Sequence, residues 1–275
     1  MIDNHVQRGQ SPVVDPMTIS WRRCVDMNDK GLAHIVSGLD NRPQAPLRET
    51  GFDLTAASEF MAILSLTKSP TDLRKRLGRI TVGFTEKRKP VVADDLQCAG
   101  AMAALLRDAL RPNLVQTCEH TPALVHTGPF ANITYGNSSV LADLIVTQLA
   151  DFIITENGFG VDCDAEKLFH IKCRTSGLRP GAEVLACTVR AIKYHSGQFE
   201  VRPGRPLPVE MLDENPDALR ACIANLQAHV EIVHRFGVPV IVAFNGFPPI
   251  RTAMSVCSSN WPTTWVWKRS RLTHL

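Results

Sequence analysis

Glu156 and Asp162 flank a small glycine cluster, Gly158-Phe159-Gly160. A carboxylate beside such a turn can orient a metal or an organic cation, or simply stay solvated. Arg190 and Lys193 follow an apolar run and offer positive charge to a phosphate or a carboxylate; surface ion pairing is the competing reading. Asn245 closes another apolar run, where it can meet a nucleotide base or cap a loop. His126 precedes Gly128-Pro129-Phe130, and a lone histidine at a strand end more often fills a structural role with a partner. The sequence contains no G-x-x-x-x-G-K-[ST], so the usual triphosphate cradle is missing, and the glycine cluster is too short for a dinucleotide fingerprint. Its 8 cysteines are scattered without C-x-x-C spacing. They read as small buried apolar residues, and no metal ligands are assigned.

Regular elements must hold these residues. Ala57, Phe60, Met61 and Leu64 fall at helical spacing after a capping Asp53 or Thr55. Residues 79–83 read as a short strand, and a helix is expected from Asp94 to just before Pro112. Residues 123–126 and 152–155 read as strands, with a helix from Ser138 or Ser139 to about Ala150 between them. A helix covers 164–173, and a longer apolar strand runs over 183–192. Asn215-Pro216 is a strong helix start, with a capping Asn and Pro at the first helical position. Leu219, Cys222, Ile223, Leu226, Val230 and Val233 form its buried stripe, Gly237 stops it, and 238–243 is an apolar strand. Apolar strands alternating with amphipathic helices predict an α/β fold, a mostly parallel sheet with helices on both faces. Ligands then sit at the carboxyl ends of strands, which selects residues 127–139, 156–164 and 245–249.

Composition bounds the rest. Of 275 residues, 44% are hydrophobic and 21% charged, as in ordinary globular domains. The formal net charge of +3 is local, because residues 249–275 hold Arg251, Lys268, Arg269 and Arg271 without an acid. The body is near neutral, so neither a nucleic-acid partner nor a membrane partner is expected. No secretory pattern opens the chain, and a cytoplasmic location is the expectation. The last residues, with Trp261, Trp265 and Trp267, break the α/β pattern.

Longer segments carry more. They include 21–29 (WRRCVDMND), 49–53 (ETGFD), 57–63 (ASEFMAI), 72–79 (DLRKRLGR) and 112–117 (PNLVQT). The most specific are 128–132 (GPFAN), 158–160 (GFG), 165–167 (AEK), 171–174 (IKCR) and 189–193 (VRAIK), followed by 236–240 (FGVPV) and 245–248 (NGFP). Through these the chain resembles the formate–tetrahydrofolate ligase family over residues 1–248. The resemblance implies a P-loop NTPase-like fold, here incomplete, because Met1 falls after the family's P-loop and its C-terminal part is absent. The expectation is an internal fragment of an enzyme of one-carbon metabolism. Residues 1–248 would be a partial ligase domain, and 249–275 a divergent tail, disordered or outside the family.

The resemblance further implies ATP with Mg²⁺, tetrahydrofolate and formate as ligands, a monovalent cation, and a homo-oligomer in the complete protein. It implies a formyl-phosphate intermediate. Phosphoryl transfer to a weak carboxylate needs cationic neutralisation, acyl transfer needs a proton acceptor, and a flat pterin needs apolar walls. Asn132, Tyr135, Glu156 and Asp162 are the expected catalytic positions. Phe130, Arg190, Lys193, Asn245, Phe247 and Pro248 are the expected substrate contacts, with Phe247 and Pro248 as part of a ring wall. Tyr135 stands where the family has a histidine, and a phenol with an ordinary pKa of about 10 is a poor base near neutrality. That departure and the absent P-loop predict that this chain alone is inactive; the alternative is a non-catalytic folate-binding or scaffold remnant.

Overall fold

The computed structural model describes residues 1–39, 46–213, 215–245 and 265–268. The chain is mixed α/β and divides into two units, Met1–Phe159 with His170–Gly177, and Gly160–Phe169 with Leu178–Leu275.

The first unit opens with α1 (Ile2–Gln7) and four short strands, β1 (Arg23–Cys24), β2 (Ile35–Ser37), β3 (Arg48–Thr50) and β4 (Phe52–Asp53). β1 pairs parallel with β4, and β2 antiparallel with β3. Helix α2 (Glu59–Leu66) starts where the Ser58 hydroxyl accepts the Met61 N–H. Helix α3 (Pro70–Gly78) starts at Ser69, with Pro70 in the first turn and Asp72 where acids favour a helix N-terminus. β5 (Thr81–Phe84) and β6 (Pro90–Val92) form an antiparallel hairpin leading to α4 (Ala99–Leu105). Leu64, Leu73, Leu77, Ile80, Val82 and Val91 make the centre of the core, with Phe60 and Trp21 packed on it. β7 (Asn113–Gln116) and β8 (Pro122–Val125) form a further antiparallel hairpin. Helix α5 (Val140–Val146) follows, and α6 (Arg174–Ser176) ends at Gly177, whose φ of 83° suits a residue without a Cβ.

The second unit begins with a wide π-helical turn, Val161–Ala165; a second such turn, Leu168–Cys173, starts in this unit and ends in the first, which holds His170–Gly177. β9 (Glu183–Thr188), α7 (Val189–Tyr194), α8 (Pro216–Arg235), β10 (Val240–Asn245) and β11 (Trp265–Lys268) complete it. The sheet order is β11-β10-β9, with both pairings parallel. Asn215 caps α8 through Ala218 N–H, and Leu219, Cys222, Leu226, Val230 and Val233 are buried beneath it. Phe169 stacks on Phe236 with ring centroids 4.4 Å apart.

The α/β class therefore holds, but the strands do not join one large parallel sheet among the described residues. Residues 123–126 were expected in that sheet; Pro122–Val125 instead pairs antiparallel with its sequence neighbour. Residues 152–155 form no strand. The expected strand 183–192 stops at Thr188, because the Thr188 hydroxyl accepts the Ala191 N–H and starts α7. The helix expected over 94–111 is regular only over Ala99–Leu105. Trp265–Lys268 adds a strand to β10, although the sequence there breaks the pattern. Cys98 and Cys222 are buried as expected, whereas Cys24, Cys118 and Cys163 are exposed. No helix among the described residues is long and apolar enough to cross a membrane.

Candidate functional site

The Gly-Pro-Phe loop is built from its ends inward. At its start, buried His126 is held on both ring nitrogens: Nδ1 is 2.6 Å from Ser139 Oγ and Nε2 is 2.8 Å from the Ala109 carbonyl. His126 is thus the satisfied structural residue that a lone histidine usually is. Thr127 has a φ of 60°, and its hydroxyl accepts a hydrogen bond from Ser65 Oγ at 3.1 Å. Phe130 N–H donates to the Ala56 carbonyl, while Ile133 and Thr134 N–H groups return to the Phe130 carbonyl. The loop is therefore a closed turn. It leaves the Phe130 ring half-exposed and Asn132 exposed.

Tyr135 follows, half-buried. Burial pushes its phenol above the usual tyrosine range, and the nearby Arg76 guanidinium only partly opposes that. The phenol is a hydrogen-bond donor at neutral pH. Arg76 is itself held by Asp72, 2.9 Å away.

The far end of the loop is tied to the segment carrying Glu156. Gly158 N–H donates to the Gly136 carbonyl at 2.9 Å, and Asn137 Nδ2 donates to Thr155 Oγ1 at 2.9 Å. These two bonds bring the Asn132–Tyr135 turn and the exposed Glu156 into one neighbourhood of the first unit. Beneath them lies Lys172, 1% exposed, with its ammonium 2.6 Å from Asp143 Oδ2 and donating to Asn137 Oδ1 and the Ser138 carbonyl. Burial lowers the Lys172 pKa below the usual lysine range, against the pull of Asp143.

The other candidates belong to the second unit and sit on separate elements. Asp162 is exposed in the π-helical turn, 3.9 Å from His229 Nε2. Its neighbour Asp164 is fully buried and pairs with Lys167 at 2.8 Å. Burial alone would lower the Lys167 ammonium, but Asp164 holds it above the usual lysine range. Arg190 is exposed on α7. Lys193, expected as a ligand contact, is buried, and its ammonium donates to the Met211 carbonyl at 3.1 Å and to that of Asp213. Both residues stand on a helix, not at a strand end. Asn245 is the last residue of β10. Phe247 and Pro248 lie outside the described residues. Among the described residues, no three His, Cys, Asp or Glu side chains are grouped closely enough to hold a metal ion.

Reading residue by residue missed Lys172 and Asp143. Lys172 was visible only as a letter within 171–174, and Asp143 falls on the polar side of an otherwise apolar helix.

The family model described as formate--tetrahydrofolate ligase matches residues 1–254. The formate--tetrahydrofolate ligase of Saccharopolyspora erythraea is 54% identical over 248 residues, which is 90% of this chain and 44% of that protein. The Cutibacterium acnes protein of the same name gives the same figures. That of Desulforamulus reducens is 50% identical over 249 residues, again 90% of this chain and 44% of the relative. The chain spans less than half the length of the curated relatives it matches.

Proposed function

The chain belongs to the formate–tetrahydrofolate ligase family, and from that premise we propose that it is the central part of an ATP-dependent ligase joining formate to tetrahydrofolate. The reading is supported by the family match together with one geometric observation: the Gly136–Gly158 and Asn137–Thr155 hydrogen bonds that set Tyr135 and Glu156 in one neighbourhood.

In this reading a formate oxygen attacks the γ-phosphorus of ATP, giving formyl phosphate and ADP. The folate amine then attacks the formyl carbon, the carbon–oxygen bond to phosphate breaks, and the amine proton leaves. Glu156 accepts that proton, being an exposed carboxylate at the loop. Tyr135, kept protonated by burial, donates a hydrogen bond to the formyl oxygen as negative charge develops there. Asn132 donates a second bond to the same oxygen. Phe130 offers its half-exposed ring to the pterin; Phe247 and Pro248, the other expected ring contacts, lie outside the described residues. Arg190 meets a phosphate oxygen, Asn245 the base, and Asp162 an accompanying monovalent cation. Lys193, with its donors on backbone carbonyls, holds α7 under Arg190. Mg²⁺ would be brought by the triphosphate, as it commonly is; the described residues offer no cluster for it. In the complete protein the fold is a P-loop NTPase-like parallel sheet covered on both faces, assembled as a homo-oligomer. Residues 1–248 are the ligase part and 249–275 a divergent tail.

This chain alone binds folate without turning it over. The lack of turnover is supported by Tyr135 standing where the family has a histidine, since a phenol kept protonated by burial is a poor base; the binding rests on the family match. The test incubates purified chain with formate, tetrahydrofolate and MgATP, and measures its melting temperature with and without tetrahydrofolate. No product together with a raised melting temperature is expected, since a ligand of the native state stabilises it. Product formation would overturn the inactivity, and no shift at saturating folate would overturn the binding site.

A further inference from the structure

Lys172 is a large, fully buried cation that no proposed chemical step uses. An ammonium has three protons to donate, and it faces three acceptors: Asp143 Oδ2, Asn137 Oδ1 and the Ser138 carbonyl. Nothing is left for a substrate, so its role is exerted through these partners. All three lie within seven residues, immediately after Tyr135. Asn137 passes the restraint on, donating to Thr155 Oγ1 at 2.9 Å and lying 3.4 Å from both Asp143 carboxylate oxygens. Ser138 Oγ donates to the His126 carbonyl at 3.1 Å, which closes the loop at its other end. A buried ammonium is costly unless its charge is matched and its donors are used. Here Asp143 matches the charge, and the other two donors go to the loop. Charge balance alone would not require those two bonds.

We propose that Lys172 is a positioning residue that clamps residues 136–139 and, through Asn137, fixes the Tyr135 turn against the Glu156 segment. The consequence for chemistry rests on the proposed roles of Tyr135 and Glu156; the clamp itself does not. Without it, Asn137 loses its fixed orientation, the link to Thr155 loosens, and Tyr135 gains access to water.

The test compares Lys172→Met with Lys172→Met/Asp143→Leu. The single variant leaves a buried carboxylate unpaired and should melt lower by roughly 10 °C. The double variant removes both charges and should recover most of that loss. Amide hydrogen exchange over 128–139 and 155–158 is then read in the double variant. With Tyr194→Phe as background, Tyr135 becomes the only tyrosine, so tyrosinate absorbance follows its phenol alone. The double variant should exchange about tenfold faster at these amides than elsewhere in the unit, and Tyr135 should titrate closer to the ordinary tyrosine value. Parent-like exchange and titration in the stable double variant would overturn the proposal, leaving Lys172 as a mere counter-ion. Where the double variant does not fold, Asn137→Ala keeps the ion pair intact and reads the same amides. Faster exchange there supports the clamp, and unchanged exchange overturns it. None of these readouts uses substrate, so a failed ligase reading would show in the folate and product assays instead.

Discussion

Two stretches flank α5 and invert the usual rule of burial. Residues 126–139 are polar, yet His126 and Ser139 are buried. Residues 149–154 are apolar, yet Leu149, Phe152, Ile153 and Ile154 are exposed. The difference lies in partners. In the first stretch His126, Asn137, Ser138 and Ser139 each reach an acceptor or donor within 3.1 Å, so burial leaves little unsatisfied polar surface. In the second, a strand-like sequence has no ladder partner among the described residues, and its apolar side chains stay uncovered. Beside its apolar core, this unit thus holds a buried polar clamp before α5 and leaves an uncovered apolar stretch after it.

Mutation ranks the two stretches. The largest effect is expected for His126→Ala, which strands Ser139 Oγ and the Ala109 carbonyl and leaves a cavity. The cost should be about 3 kcal/mol by urea denaturation. A loss below about 1 kcal/mol would mean that the clamp does not hold the unit. Ser139→Ala should cost less, about 1–2 kcal/mol, since it removes the α5 cap at Ala142 N–H and one histidine partner.

How much of this was legible depends on whether the signal was local. Ser138 or Ser139, Asn215-Pro216 and Gly237 announce helix ends through their own side chains or backbone; α8 appears where they put it, and α5 starts at Ser139 but stops at Val146 rather than near Ala150. Ser69-Pro70 carries the same signal for α3, in the gap between 57–63 and 72–79, and no helix was expected there. Thr188 was read as strand because a capping threonine and a β-branched strand residue are the same letter; only the Ala191 N–H bond decides. Pairing is not local at all. Nothing in residues 123–126 distinguishes a hairpin with 113–116 from a place in a larger sheet, and nothing in 152–155 says whether a neighbour is in reach. The candidate loops were legible as glycine-rich breaks after apolar runs. Their tie through Gly136, Asn137, Thr155 and Gly158 was not, because each bond joins residues about 20 positions apart, where periodicity carries no information.

A smaller effect tests the electrostatic side of the polar region. Asp72 holds Arg76, whose charge partly offsets the effect of burial on the Tyr135 phenol. Burial alone would raise the Asp72 pKa, but the Arg76 hydrogen bond and the Lys68 N–H outweigh it and hold the carboxyl below the usual aspartate range. A depressed folded pKa means that the stabilisation is fully present above the unfolded value and is lost as pH falls through the folded one. Asp72→Asn should therefore cost about 0.5–1 kcal/mol at neutral pH, and the gap from the parent should close in strong acid. A gap that stays constant from neutral pH into strong acid would show that the carboxylate's charge is not what stabilises this corner.

The smallest effect belongs to the apolar stretch, and it is the sharpest test of the comparison. Ile154 is 98% exposed, so replacing it with aspartate removes no packing and buries no charge. The stability of this chain should stay within about 0.5 kcal/mol, while self-association at high concentration falls, because an exposed apolar patch invites association and a charge within it discourages it. Sedimentation velocity beside a denaturation curve measures both. A loss of more than about 2 kcal/mol would place Ile154 in a packed core, and the contrast between the two stretches would be gone.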